Sequence, residues 1–256
     1  MPKKSIPPEI EWHIKFDKIV SEREAIYIDA LIRMASRHLD TKLNSILDAP
    51  CGNGRLHEFL RNYGYGVYGT DINEELIEQA RISSSDHADS YFVGDLRNFD
   101  LNKKFDAYLS WYNSLGYFDE KGNIAVLNNA AKHLKKNGII ILDIPNKELA
   151  LEYISNNPKP IFYNDCGKYV AIEHGGIEFV DKICYRIRDE KFYEKIGNDL
   201  VFLKAHPVNK IRLYSEEELI KQLSKSGFRH LYSFSGKTFA DLNKSAKQMI
   251  IVAAKK

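Results

Sequence analysis

Three aspartates and two glycines carry the most chemistry in this chain. Asp48, Asp71 and Asp95 each close a short apolar run, and Gly52 and Gly54 follow the first of them within Ala49-Pro-Cys-Gly-Asn-Gly54. A strand, a glycine turn and a helix N-terminus together make a cradle that accepts an anion and allows a close backbone approach. A dinucleotide site needs a third glycine for tight helix–strand packing, but the position that should hold it is His57. Asp48 would also repel a pyrophosphate. It suits an ammonium group instead, with the helix N-terminus meeting a carboxylate, and that pair of charges belongs to an amino acid. Asp71 lies 23 residues further on, at the end of the next strand, where a carboxylate accepts both ribose hydroxyls. Asp95 ends the third such segment, suited to adenine's exocyclic amine. Amino acid, ribose and adenine, met in that order, are the parts of S-adenosylmethionine.

Other residue types with chemical potential are scattered. Cys51 sits inside the glycine loop and reads as packing; no Ser/His/Asp order suggests a nucleophilic triad. His174 and His206 flank expected hairpins and are the candidates for a general base. The segment after the fourth strand, Ser110-Trp-Tyr-Asn113, lacks the twin prolines of amino-methylating nucleic-acid enzymes.

The elements that must position these residues follow from the hydrophobic pattern. Ser21-Glu-Arg-Glu24 has the form of a capping box, and helical spacing behind it predicts a helix over 22–38. Short apolar runs at 45–48, 67–71, 91–93, 105–110 and 139–144 predict strands. Helices are expected over 55–62, from Asn73 as N-cap, and over 122–136 with Gly138 as C-cap. Such alternation argues a parallel sheet covered on both faces. Over 158–213 the period changes to two, with turn signals at 174–176, 188–190 and 197–199. Two or three antiparallel hairpins inserted into the α/β unit fit that change. A helix over 215–226 and strands at 230–234 and 249–254 complete the pattern.

Composition bounds the possibilities. The 256 residues are 44% hydrophobic and 28% charged, which excludes disordered and low-complexity classes. With 37 basic against 35 acidic residues, the excess that a dedicated nucleic-acid binder uses to neutralise phosphates is absent. No apolar run approaches the roughly 20 residues needed to span a bilayer, and no apolar segment follows the first charged residues as in a secretory signal. Three cysteines without a C-x-x-C spacing argue against disulfides or zinc and for a cytoplasmic location.

Residues 47–55, Leu-Asp-Ala-Pro-Cys-Gly-Asn-Gly-Arg, with Tyr68-Gly-Thr-Asp71 and Gly94-Asp-Leu-Arg97, resemble the class I S-adenosylmethionine-dependent methyltransferases. Further marks, Trp12 and Phe16, Ser114–Phe118, Leu142–Asn146, Arg212–Ser215 and the tail from Met249, narrow the likeness to a small-molecule branch. It is weakest over 150–205. The resemblance implies a Rossmann-like α/β sheet in the order 3-2-1-4-5-7-6, its last strand antiparallel, with an inserted antiparallel β subdomain. It implies an N-terminal helical lid over 1–40, a cofactor domain over 41–157 and 214–256, and an acceptor-binding insertion over 158–213. The cofactor contacts it implies are Asp48, Ala49, Pro50, Cys51, Gly52, Asn53 and Gly54, then Asp71 with Ile72, Asp95 with Leu96, then Ser110, Trp111 and Tyr112, and Trp12 from the lid. On the acceptor side stand Tyr117, Arg212 and His174. The expected activity is methyl transfer to N or O of a small molecule by direct displacement, leaving S-adenosylhomocysteine, without metal, membrane or nucleic-acid partner, by a monomer or homodimer. An RNA or protein methyltransferase, a non-catalytic nucleotide-binding module and an NAD-dependent dehydrogenase are the alternatives.

Overall fold

In the computed structural model, residues 8–256 are described, with side chains from residue 20 onward except that of Cys166. Helix α1 (Pro8–Leu39) leads into β1 (Ser45–Asp48), α2 (His57–Asn62), β2 (Gly66–Asp71), α3 (Glu74–Ser83) and β3 (Tyr91–Val93). Then come β4 (Phe105–Ser110), α4 (Glu120–His133), β5 (Leu134–Pro145) and α5 (Lys147–Asn156). Strands β6 (Ile161–Cys166), β7 (Tyr169–Val180), β8 (Ile183–Ile196), β9 (Asp199–Ala205) and β10 (Asn209–Arg212) form a second sheet. Helix α6 (Glu216–Lys225), β11 (Phe228–Ser235) and β12 (Gln248–Lys255) return to the first.

The first sheet has seven strands in the order β11-β12-β5-β4-β1-β2-β3. Counting β11 and β12 as its sixth and seventh strands, that is the expected order. β12 runs antiparallel to both neighbours, while β5, β4, β1, β2 and β3 pair in parallel. Alternate residues of each strand feed opposite cores, as the pleat requires. Ile46, Val67, Ile141 and Ile250 pack with Ile28, Leu31 and Ile32 of α1. Leu47, Tyr108, Ile140 and Ile251 face the other way, onto Leu127 of α4 and Leu219 and Leu223 of α6. Every residue of β4 is buried, because helices cover both of its faces.

Three local expectations change. Ser21 and Glu24 do not open a helix: they lie inside α1, both buried, and their side chains serve the site described below. Gly138 is no C-cap, since α4 ends at His133 and Gly138 lies within β5, where a Cβ would come 3.1 Å from the Asp106 carbonyl oxygen. In the second sheet, residues 174–176 and 188–190 are strand interior rather than turns; β7 and β8 pair without a break from Tyr169↔Glu194 to Val180↔Ile183. The chain reverses instead at Asp181 and Lys182, with φ of 49° and 69°. Two left-handed residues in succession are the mark of a two-residue hairpin turn, which sequence usually announces with Asn-Gly or Asp-Gly. The turn signal at 197–199 is real: Gly197, with φ of 62°, joins β8 to β9.

Candidate active site

The loop after β1 is threaded between its neighbouring strands. The Ala49 N–H donates to the Leu109 carbonyl of β4, and the Cys51 N–H to the Thr70 carbonyl of β2, both at 2.9 Å. Gly52 and Gly54 take φ of 55° and 74°, in the region that favours glycine. At Gly54 the space is also needed, because a Cβ would lie 2.8 Å from the Tyr91 ring. Asp71 fixes the loop from the end of β2: its Oδ2 accepts the Gly52 N–H and its Oδ1 the Asn73 N–H, each at 2.9 Å. Each carboxylate oxygen keeps a further acceptor site for a ligand hydroxyl.

Asp48 and His57 form a sealed pair, His57 Nε2 standing 3.1 Å from Asp48 Oδ2 with both side chains buried. Burial raises the Asp48 carboxyl above its ordinary range, and the His57 hydrogen bond works against that rise. Its second oxygen, Oδ1, is buried without a hydrogen-bond partner. The cavity it borders has a volume of about 480 Å3, within the usual size of small-molecule sites. An orphaned carboxylate oxygen, a second acid at Asp71 and a two-glycine turn fit the amino-acid and ribose ends of S-adenosylmethionine. Burial first, and then the negative charges of Asp48 and Asp71, push the Cys51 thiol well up. It is therefore a neutral thiol and a poor nucleophile.

Trp111 and Tyr112 follow β4 along the same cavity. Tyr112 and Asn113 both adopt left-handed φ, at 61° and 62°, a strained geometry that needs outside support. Asp143 of β5 supplies it: the Tyr112 N–H donates to its Oδ2 at 3.3 Å and the Asn113 N–H to its carbonyl at 2.9 Å. Lys237 Nζ lies 3.6 Å from that carboxylate and 5.1 Å from the Trp111 ring centroid. Even so, burial dominates and pushes the Asp143 carboxyl up to about 6. Lys237 also donates to Glu24, whose other oxygen stands 2.6 Å from Arg55 Nη2; Arg55 Nη1 donates to Ser21 Oγ at 3.2 Å. Burial works to raise the Glu24 carboxyl, but Arg55 and Lys237 outweigh it and hold it below its ordinary value. Helix α1, the glycine loop, β5 and the loop before β12 are thus joined by two buried acids, Glu24 and Asp143, and two half-buried bases, Arg55 and Lys237. The spacing of Ser21 and Glu24, read in sequence as a cap, places both on the side of α1 that meets Arg55.

Of the residues expected to bind cofactor, Asp48, Pro50, Cys51, Gly52, Asn53, Asp71, Trp111 and Tyr112 line the cavity, as does Tyr117. Ala49 and Ser110 are buried and do not line it, and Gly54 packs against Tyr91. Ile72 is 67% exposed. Leu96 is buried in the core on the α4 side, and Asp95 accepts from Arg97 Nε at 2.9 Å outside the cavity. Trp12 lies in α1 among the residues whose side chains fall outside the description.

Two of the expected acceptor-side residues stand elsewhere. Arg212 is buried: its Nε donates to Glu120 Oε2 at 3.3 Å, its Nη1 reaches Glu218 Oε2 at 3.4 Å, and it stacks 4.4 Å from the Tyr214 ring centroid. It ties β10 to α4 and α6, and lines no part of the cavity. His174 is exposed within β7, opposite Asp189. His206, the other histidine considered as a base, does line the cavity. Sequence reading gave no site role to Arg55 and Ser114, although both lie inside recognised motifs, nor to Glu75 beside the Asn73 cap, nor to Lys204, which gave no signal at all.

Residues 46–138 match the family model described as "Methyltransferase domain". Over 102 residues, 39% of this chain and 42% of the relative, the sequence is 30% identical to a dTDP-3-amino-3,4,6-trideoxy-alpha-D-glucopyranose N,N-dimethyltransferase of Streptomyces venezuelae. Over 122 residues, 47% of this chain and 46% of the relative, it is 29% identical to a dTDP-3-amino-3,6-dideoxy-alpha-D-glucopyranose N,N-dimethyltransferase of Streptomyces fradiae. The chain thus spans less than half the length of these curated relatives. Among solved structures, an S-adenosylmethionine-dependent methyltransferase from Clostridium acetobutylicum superposes with a TM-score of 0.75 at 19% identity, covering 95% of this chain and 96% of that one. DesVI of Streptomyces venezuelae gives 0.69 at 19% identity, covering 93% and 92%. The chain thus matches the methyltransferase-domain model over residues 46–138 and has the fold of these S-adenosylmethionine-dependent methyltransferases.

Proposed function

We propose that the protein transfers a methyl group from S-adenosylmethionine to nitrogen or oxygen of a small molecule. The observation that carries this reading is a single cavity bordered both by Asp48 and Asp71 of the first sheet and by Lys204 and His206 from the end of the second. Asp48, Asp71, Gly52 and Trp111 hold the cofactor, which supplies a methyl group already activated on a sulfonium. The protein's own task is then to align the acceptor and exclude water, because proximity and orientation can supply much of the barrier reduction. Tyr112 stands with Trp111 on the cofactor side, and Tyr117 presents aromatic surface on the acceptor side.

Amino sugars are the favoured acceptor class, since the Streptomyces venezuelae and Streptomyces fradiae relatives are named for N,N-dimethylation of such sugars. Residues 158–213 act as the acceptor-binding unit and 41–157 with 214–256 as the cofactor domain. A lid role falls only to the part of 1–40 ahead of the α1 residues Ala25 to Ala35, which belong to the core, and residues 1–7 of it lie outside the described residues. We place the protein in the cytoplasm as a monomer or homodimer; among the described residues no helix is long and apolar enough to cross a membrane. Calorimetry with S-adenosylhomocysteine, followed by transfer of labelled methyl to a panel of nucleotide-linked amino sugars, tests the reading. Absence of cofactor binding would remove it, and binding without transfer to any amine would redirect it to another acceptor class.

A further inference from the structure

The second sheet brings a carboxylate up behind a cavity-lining histidine. His206 Nδ1 stands 3.2 Å from Glu190 Oε2, and the His206 N–H donates to the Glu190 carbonyl at 2.9 Å, so ring and backbone are held by one residue. The imidazole packs edge-on against Phe192, with 4.7 Å between ring centroids. The Glu190 carboxylate is itself braced: Arg188 Nη2 donates to it at 3.3 Å, Arg188 Nε donates to Glu173 at 2.8 Å, and Glu173 is also paired with Arg186. His174 belongs elsewhere, since it pairs with Asp189, whose side chain points to the sheet face opposite that of Glu190.

We propose that His206 is the general base of methyl transfer and that Glu190 is its positioning residue. The inference rests on the methyltransferase reading above. A carboxylate on Nδ1–H fixes the tautomer and leaves the Nε2 lone pair available in the cavity. In the transfer step the acceptor nitrogen forms the new bond to the methyl carbon with its lone pair. The carbon–sulfur bond breaks, and its electron pair remains on sulfur. Beforehand one proton of the acceptor ammonium passes to His206 Nε2 and thence to water, and this frees the lone pair for the attack. Lys204 borders the same cavity, so its charge acts on this proton transfer as well.

The first arm of the test needs no acceptor. Nitrogen-15 spectra of histidine-labelled full-length protein, with and without S-adenosylhomocysteine, read the tautomer of His206, assigned through His206→Gln. The expected result is Nδ1–H with Nε2 unprotonated, a preference that Glu190→Gln reduces. A predominant Nε2–H form, or spectra indifferent to Glu190→Gln, would overturn the dyad.

The second arm uses the dTDP-linked 3-amino sugar as probe. His206→Ala and His206→Gln should lower kcat by about 10²–10⁴-fold, the usual contribution of a general base. Acceptor KM and S-adenosylhomocysteine affinity should stay within about twofold, and added imidazole should restore part of the rate to the alanine variant. Glu190→Gln should lower kcat by a smaller factor with KM unchanged. An unchanged kcat, or a rise confined to KM, would reject the base. Should the wild type bind S-adenosylhomocysteine yet leave this probe unmethylated, the amino-sugar reading is what fails, and the tautomer decides the dyad.

Discussion

Asp48 and His57 are nine residues apart and meet at 3.1 Å with both side chains closed off from solvent. Their approach depends on Gly69, where a Cβ would lie 2.7 Å from the His57 ring. His57 occupies the position at which a dinucleotide loop carries its third glycine. The side chain that is out of place in a dinucleotide loop is the one that supplies the partner of Asp48.

His57→Leu should leave Asp48 buried without its donor. Removing one member of a buried pair typically costs about 3–5 kcal/mol, so urea denaturation should show a loss near that size. S-adenosylhomocysteine affinity of the folded fraction should fall as well. Unaltered stability would mean that Asp48 is neutral in the folded protein and needs no partner.

Asp71→Ala removes the acceptor of the Gly52 and Asn73 amides and the expected partner of the ribose hydroxyls. Hydrogen bonds to a charged group contribute about 1.5–3 kcal/mol. Calorimetry should therefore show S-adenosylhomocysteine binding weakened by about 10–150-fold. Equal affinity in wild type and variant would take Asp71 out of the site.

Asp143 gives a pH signature. Its carboxyl is raised from 3.8 to about 6, so between those values the folded state holds a proton that the unfolded chain has released. Stability falls as pH rises when the native state binds more protons. The shift corresponds to about 3 kcal/mol, lost progressively between pH 3.8 and about 6. Asp143→Asn, which cannot ionise, should gain on the wild type by about that amount across the window. A constant difference between the two proteins at pH 4 and pH 7 would refute the raised value.

Arg212 should prove structural. Its backbone N–H donates to the Gly116 carbonyl at 2.8 Å, and a Cβ on Gly116, where φ is 113°, would lie 2.6 Å from the Arg212 carbonyl oxygen. Arg212→Ala should cost about 2–3 kcal/mol of stability through lost hydrogen bonds and packing, and Gly116→Ala should be destabilising through strain and overlap. Both should retain wild-type cofactor affinity once folded. A stable Arg212→Ala protein with depressed turnover would return Arg212 to the acceptor site.

Strand order followed from the family resemblance; the sequence by itself determined the α/β alternation, its strands and the glycine loop. These rest on short-range patterns: apolar runs that become buried strands, glycines where φ must be positive, and acids at strand ends, of which Asp48 and Asp71 border the cavity and Asp95 does not. Asn73 as helix cap was legible for the same reason, its side chain accepting from Glu75 and Leu76 two and three residues on. What tertiary structure decided is which distant side chains share a space. Glu24 and Lys237 lie 213 residues apart and meet because α1 and the loop before β12 converge beside Trp111. Arg212 sits in a motif but turns to Glu120 and Glu218, and His206, not His174, borders the cavity. In the second sheet the face a residue presents depends on register, and register was set by the turn at Asp181-Lys182, whose residue types do not announce it. A one-residue shift there would exchange the two faces of the strand. Local pattern thus fixes an element, while pairing between elements chooses the side chains that reach the cavity.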